Sequence, residues 1–117
     1  MSIQVKRAYD PPASADGARI LVDRLWPRGV SREKLKLDTW MKDIAPSNEL
    51  RKWFHEGDHT WGDFRRRYFK ELGAQPELVA ELRKRARGHT VTLLYGSKDE
   101  QHNNAVALKE YLQGKSR

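Results

Sequence analysis

The stretch Arg19-Ile20-Leu21-Val22-Asp23-Arg24-Leu25-Trp26-Pro27-Arg28-Gly29 passes from an unalternated apolar run straight into charge. An apolar run of this kind predicts a strand covered on both faces, and Pro27 and Gly29 close it. Its charged residues therefore fall at the carboxyl end. In open α/β sheets, ligands lie in the crevice outside that end, so Asp23, Arg24 and Arg28 are expected to line a site.

A second strand of the same kind is Thr90-Val91-Thr92-Leu93-Leu94-Tyr95, which Gly96-Ser97-Lys98-Asp99 turns into a final helix carrying Ala105, Leu108 and Leu112 on one side. Ile3 to Arg7 alternates and suits an N-terminal strand nearer an edge, followed by a breaker-rich loop from Asp10 to Gly17. Ser31 caps a short helix through Leu35, and Leu37 to Met41 reads either as a short strand or as irregular chain. Three clearer helices follow. One starts at Pro46-Ser47 with Leu50, Trp53 and Phe54 on a face and stops at Gly57. The next opens on Thr60 with Asp63 in capping-box spacing, carries Trp61, Phe64, Tyr68 and Leu72, and ends near Gly73. The third opens on Pro76 and ends before Gly88. Strands separated by helices predict a small three-layer α/β fold, with a largely parallel sheet flanked by helices.

With 117 residues the chain is expected to form a single α/β domain over residues 1–117. It contains no cysteine, which removes thiolate catalysis, disulfides and thiolate zinc sites from its repertoire. No apolar stretch approaches the roughly 20 residues of a membrane span and no signal pattern opens the chain, so a soluble cytoplasmic protein without membrane association is expected. Lys and Arg number 23 against 16 Asp and Glu, a formal charge of +7 that favours anionic partners.

Arg7-Ala8-Tyr9-Asp10, the block from Ile20 to Gly29, Ala45-Pro46-Ser47, Leu50-Arg51-Lys52-Trp53-Phe54-His55 and Thr92-Leu93-Leu94-Tyr95 together resemble the YeaO-like bacterial proteins, domain-of-unknown-function family number 488. The resemblance covers nearly the whole chain. It implies a compact three-layer α/β domain with no established activity. Longer members of that family resemble this chain with a cysteine where Tyr95 stands and a Cys-His-Arg segment near Asn103 and Asn104. Thiol or metal chemistry suspected of those forms does not carry over.

The candidate site joins Asp23, Arg24 and Arg28 with Ser97, Lys98 and Asp99, the ends of the two best strands. Asp23 would act as acid, base or metal ligand, and the cations would clamp phosphate or carboxylate. The alternative is an internal Asp–Arg ion pair pinning the loop. Tyr95 closes the second strand beside this site. Asn103 and Asn104 lie in the first turns of the last helix and can add donors to an anion there, the alternative being ordinary capping by Asp99 and a satisfied buried asparagine. His55, one helical turn from Arg51, is the candidate general acid or base. The spacing His55, Asp58, His59 is broken by Gly57, so no metal site is assigned and no cofactor follows from the sequence. Trp26, flanked by Arg24 and Arg28, is placed to stack a base or a sugar, or to pack on Pro27.

These residues predict a basic pocket binding a small phosphorylated or carboxylated ligand, with or without catalysis. Two other functions compete with it. One is a nucleic-acid-binding module using Trp26 and the basic runs Arg65-Arg66-Arg67 and Arg83 to Arg87, although three consecutive helical residues fan over about 200° and cannot all address one groove. The other is a partner-binding protein without chemistry.

Overall fold

The computed structural model describes residues 2–114; the ends of the expected 1–117 domain, residue 1 and residues 115–117, lie outside the described residues. Four strands, β1 (Ser2–Arg7), β2 (Ala18–Leu21), β3 (Thr39–Trp40) and β4 (Thr90–Tyr95), form one sheet in the order β1-β4-β2-β3. All three pairings are parallel. The α-helices are α1 (Arg32–Leu35), α2 (Asn48–Glu56), α3 (Trp61–Gly73), α4 (Pro76–Ala86) and α5 (Asn104–Leu112). The architecture is the expected small α/β fold, and the two apolar runs are its adjacent inner strands. Strand β2 is shorter than the sequence reading, ending at Leu21 rather than Asp23, although Val22 N–H still donates to Leu94 at 3.1 Å.

Strand parity divides the interior. Ile3, Ile20, Val22, Val91, Leu93 and Tyr95 face the larger core, which α2 to α5 complete with Leu50, Phe64, Tyr68, Leu72, Leu82 and Leu108. Leu21 and Leu94 face the other way, toward Ala8, Leu35 and the two tryptophans Trp26 and Trp40. The second face is covered by connections rather than by long helices, namely the β1–β2 and β2–β3 segments with the single-turn α1.

Charge holds that thinner layer down. Asp16, 4% exposed, receives Arg19 at 2.5 Å, Lys6 at 3.1 Å and the Ala13 N–H at 2.9 Å. Arg19, equally buried, spends Nε and Nη2 on the Leu35 carbonyl at the end of α1. Burial alone would raise the Asp16 pKa, but the Ala13 N–H and the two cations outweigh it and hold the carboxyl below its ordinary range. Thr92 adds a bond from its hydroxyl to the Asp16 carbonyl at 2.7 Å. Gly17, at φ +64°, lets the chain pass β4 so closely that a Cβ there would lie 2.1 Å from the Thr90 carbonyl oxygen.

Helix ends follow their capping chemistry. Ser31, Ser47, Thr60 and Asn103 each accept a backbone N–H from the first turn of α1, α2, α3 and α5. The Thr60 box is half made, because the Asp63 carboxylate turns to Arg66 instead. Asn103, not Asp99, caps α5; Asp99 accepts from the N–H groups of Gln101 and His102 within the preceding loop.

Candidate functional site

A cavity of about 300 Å3 opens where the carboxyl ends of β2 and β4 meet α2, α3 and the start of α5. At its base is Asp23. The Asp23 Oδ2 accepts the Gly96 N–H at 2.8 Å, and the Asp23 carbonyl accepts Trp40 Nε1–H at 2.7 Å. Gly96 is tight against it, since a Cβ there would come within 3.3 Å of Oδ2. Burial pushes the Asp23 carboxyl above its ordinary value; the Gly96 N–H, the Asn104 amide and the Arg51 charge oppose that rise without cancelling it.

Arg24, beside Asp23, sends Nε to the Pro46 carbonyl and Nη2 to that of Ala45, both at 3.3 Å. Its third nitrogen approaches only the exposed Asp43, at 3.9 Å, a contact of little energetic weight. These bonds place the Ala45-Pro46 turn, and so the start of α2, against the strand end.

Helix α2 is fixed from a second direction by α3. The Glu71 carboxylate accepts the Ser47 N–H at 2.9 Å and its hydroxyl at 2.6 Å, while Ser47 Oγ accepts the Leu50 N–H. Tyr68 OH donates to the Ile44 carbonyl at 2.7 Å. Burial first, then the Glu71 and Asp23 charges, raise the Tyr68 pKa far beyond its ordinary value, so it serves as a permanent donor. The helix held in this way presents Arg51, Phe54 and His55 to the cavity. Arg51 forms no ion pair among the described residues.

Phe54, Phe64 and Trp61 make an aromatic wall. Phe54 and Phe64 lie 4.8 Å apart, Phe64 and Trp61 stack at 5.3 Å, and His102 stacks on Trp61 at 5.0 Å near the rim. Asn104 Nδ2–H donates to the Val22 carbonyl at 2.8 Å, which ties α5 to β2 across the cavity floor. Asn103 and Ser97 complete the polar lining, and the exposed Leu25 sits at the edge.

Of the residues singled out from sequence, the fold brings Asp23, Arg24, His55, Ser97, Asn103 and Asn104 to this one cavity. Five others do not line it. Lys98 and Asp99 are exposed on the β4–α5 loop. Tyr95 is buried in the larger core, with its pKa raised chiefly by burial and then by the Glu100 charge. Arg28 is exposed and its carbonyl accepts Tyr9 OH. Trp26 belongs to the opposite face of the sheet, where it meets Trp40 edge-on at 5.5 Å and donates Nε1–H to Val30 at 2.6 Å. His59 stacks on Trp53 at 3.5 Å and does not line the cavity. The basic run Arg65 to Arg67 also disperses: Arg65 pairs with Glu110, Arg66 with Asp63, and Arg67 lies over Trp53.

Sequence reasoning missed Arg51, Phe54, Trp61, Phe64 and His102 as lining residues. The three aromatics stood on apolar helical stripes, the pattern of ordinary core. The available signal was Arg51 four residues before His55, which puts both on one face of α2.

The molecule is thus a small parallel α/β protein with a polar, aromatic-walled cavity at the ends of neighbouring strands. Among the described residues, no helix is long and apolar enough to cross a membrane. A family model described as "Inactive DUF488-N3 subclade" matches residues 2–117, and the chain belongs to that family. It is 46% identical over 112 residues to the uncharacterized protein YeaO of Escherichia coli (strain K12), covering 96% of this chain and 97% of the relative. It is 36% identical over 113 residues to the uncharacterized protein Rv3073c of Mycobacterium tuberculosis (strain H37Rv), covering 97% and 95%. An uncharacterized protein of Mycobacterium bovis, Mb3100c, matches to the same extent. No solved structure matches the chain.

Proposed function

We propose that the chain binds a small phosphorylated or carboxylated molecule in the cavity between β2, β4 and α2. The observation that carries this reading is the pair Arg24 and Arg51 on the cavity wall against the single carboxylate of Asp23. Two guanidinium groups can clamp an oxyanion by charge-assisted hydrogen bonds, and Arg51 is available to do so at no cost in internal pairing. Asp23 supplies an acceptor for a ligand donor, and His55 and His102 add imidazoles to the cavity lining. A carboxyl with a raised pKa in a cavity that histidines also line has the makings of acid–base chemistry. The family description as inactive favours binding without turnover, with Asp23 and His55 holding the ligand.

A thermal-shift screen tests this reading. Wild type and Arg51→Ala would be heated with inorganic phosphate, sugar phosphates, nucleotides, carboxylates and short oligonucleotides, each at low and moderate salt. A ligand at 100 times its Kd adds about 2.7 kcal/mol and several degrees to Tm. The expected result is one class of small anion that stabilises wild type, tolerates salt and fails with the variant. Stabilisation by oligonucleotides alone, abolished by salt, would overturn it in favour of a nucleic-acid surface.

A further inference from the structure

We infer that the cavity ligand is a nucleoside monophosphate, its base lying along the Phe54–Phe64–Trp61 wall and its phosphate held by Arg51 and Arg24. This inference rests on the anion-pocket reading and narrows it. An anion alone needs no aromatic wall, yet Trp61 and Phe54 are only partly buried and turn ring surface into the cavity beside the two arginines. Rings left half-exposed in a concave site are stacking platforms for a planar ligand. His102 already stacks on Trp61 at 5.0 Å as an exposed side chain, so the Trp61 face accepts a flat heteroaromatic ring.

The polar groups then distinguish a nucleobase from a plain aromatic acid. Asp23 commits Oδ2 to Gly96 and is approached by the Asn104 amide, and its carboxylate keeps further lone pairs for a ligand donor. Asn104 commits its N–H to Val22, so its amide oxygen is likewise an acceptor. These acceptors suit the N–H groups of a base edge, two adjacent ones on guanine or the amino group of adenine, which a benzoate does not offer. A cavity of about 300 Å3 is of the size that takes one small ligand.

The test is calorimetric titration of wild type with AMP, GMP, ribose 5-phosphate, adenosine and inorganic phosphate, repeated on Trp61→Leu, Trp61→Phe and Arg51→Ala. Loss of a stacked base costs about tenfold or more in affinity. AMP or GMP should therefore bind at least about tenfold tighter than ribose 5-phosphate. Trp61→Leu should erase that gap, with Trp61→Phe restoring most of it, and Arg51→Ala should weaken nucleotides and ribose 5-phosphate alike. Equal binding of ribose 5-phosphate and nucleotides, still lost in Arg51→Ala, overturns the nucleotide assignment and leaves the anion pocket standing. No binding by any of the phosphates overturns the nucleotide assignment and the phosphate form of the pocket reading together. The wild-type comparison decides the matter even if Trp61→Leu does not fold.

Discussion

Asp23 Oδ2 accepts the backbone N–H of Gly96 at 2.8 Å, joining the ends of β2 and β4 across 73 positions of chain. One hydrogen bond fixes the carboxylate at the point where the two inner strands release the chain, and burial there raises its pKa. The ionised carboxylate is thus held there at a cost in stability.

Asp23→Asn should therefore stabilise the protein near neutral pH. An amide oxygen can accept the Gly96 N–H without an ion being desolvated. The native pKa lies above the ordinary 3.8, so the folded state holds its proton longer than the unfolded chain does. Wild type then loses stability as pH rises from about 3.8 through the raised pKa, and is level above it. The variant should lack that loss and melt a few degrees higher at pH 7, the range of single stabilising substitutions. Melting curves of both proteins from pH 3 to pH 8, at roughly unit steps, give the difference directly. A variant that melts lower at pH 7 would contradict the assignment.

Asp16 works in the opposite sense. Its pKa is lowered, so its contribution is present above the ordinary 3.8 and disappears as pH falls below that value through the native pKa. Asp16→Ala leaves the guanidinium of Arg19, 4% exposed, without its carboxylate and should cost about 3 kcal/mol. Asp16→Asn, which keeps an acceptor for the Ala13 N–H, should cost less. Urea unfolding of the two variants checks the order, and equal losses would show that the Ala13 bond contributes nothing.

Gly17→Ala meets two separate penalties. The backbone is at φ +64°, ψ −136°, a region open essentially to glycine alone, and the new Cβ would overlap the Thr90 carbonyl oxygen at 2.1 Å. Thr90 begins β4 and cannot move aside without breaking its pairing with β1. A loss of about 3 kcal/mol or more is expected by denaturant titration. Gly29→Ala makes a control, with φ also positive but no atom within 4 Å, and should lose only the backbone part, about 1 kcal/mol.

Much of this fold is legible in the chain. The two unalternated apolar runs identify adjacent inner strands, and Ser31, Ser47, Thr60 and Pro76 mark helix starts to within a residue. The carboxyl end of β2 is likewise readable as the place where charge gathers. What the chain hides is which residues meet across long distances. Phe54, Trp61 and Phe64 obey the same periodicity whether they face a filled core or an empty cavity, because the gap depends on how α2 and α3 sit over the strand ends. Trp26 reads as a site residue from its arginine neighbours. The chain instead leaves β2 after Leu21 and runs beneath the sheet, carrying Trp26 to Trp40. Lys98 and Asp99 follow β4 too directly to be separated from Ser97 by sequence alone.

Glu71 tests whether the cavity wall is held from behind. Its carboxylate takes both the Ser47 N–H and hydroxyl, and the Ser47 carbonyl accepts the Arg51 N–H at 3.0 Å one turn further on. Glu71→Ala removes two bonds to a charged acceptor, and about 2 kcal/mol should be lost in global stability. The more telling effect is local. With the Tyr68 bond to Ile44, the Gln75 bond to Asp43 and the Arg24 bonds to Ala45 and Pro46 left to anchor the segment before it, α2 should open more often than the sheet. Amide hydrogen exchange should accelerate in residues 48–56 well beyond the change in β4, and a ligand held by Arg51 should bind more weakly although Glu71 does not line the cavity. Uniform acceleration across α2 and β4 would mean that Glu71 stabilises the whole fold without positioning the helix.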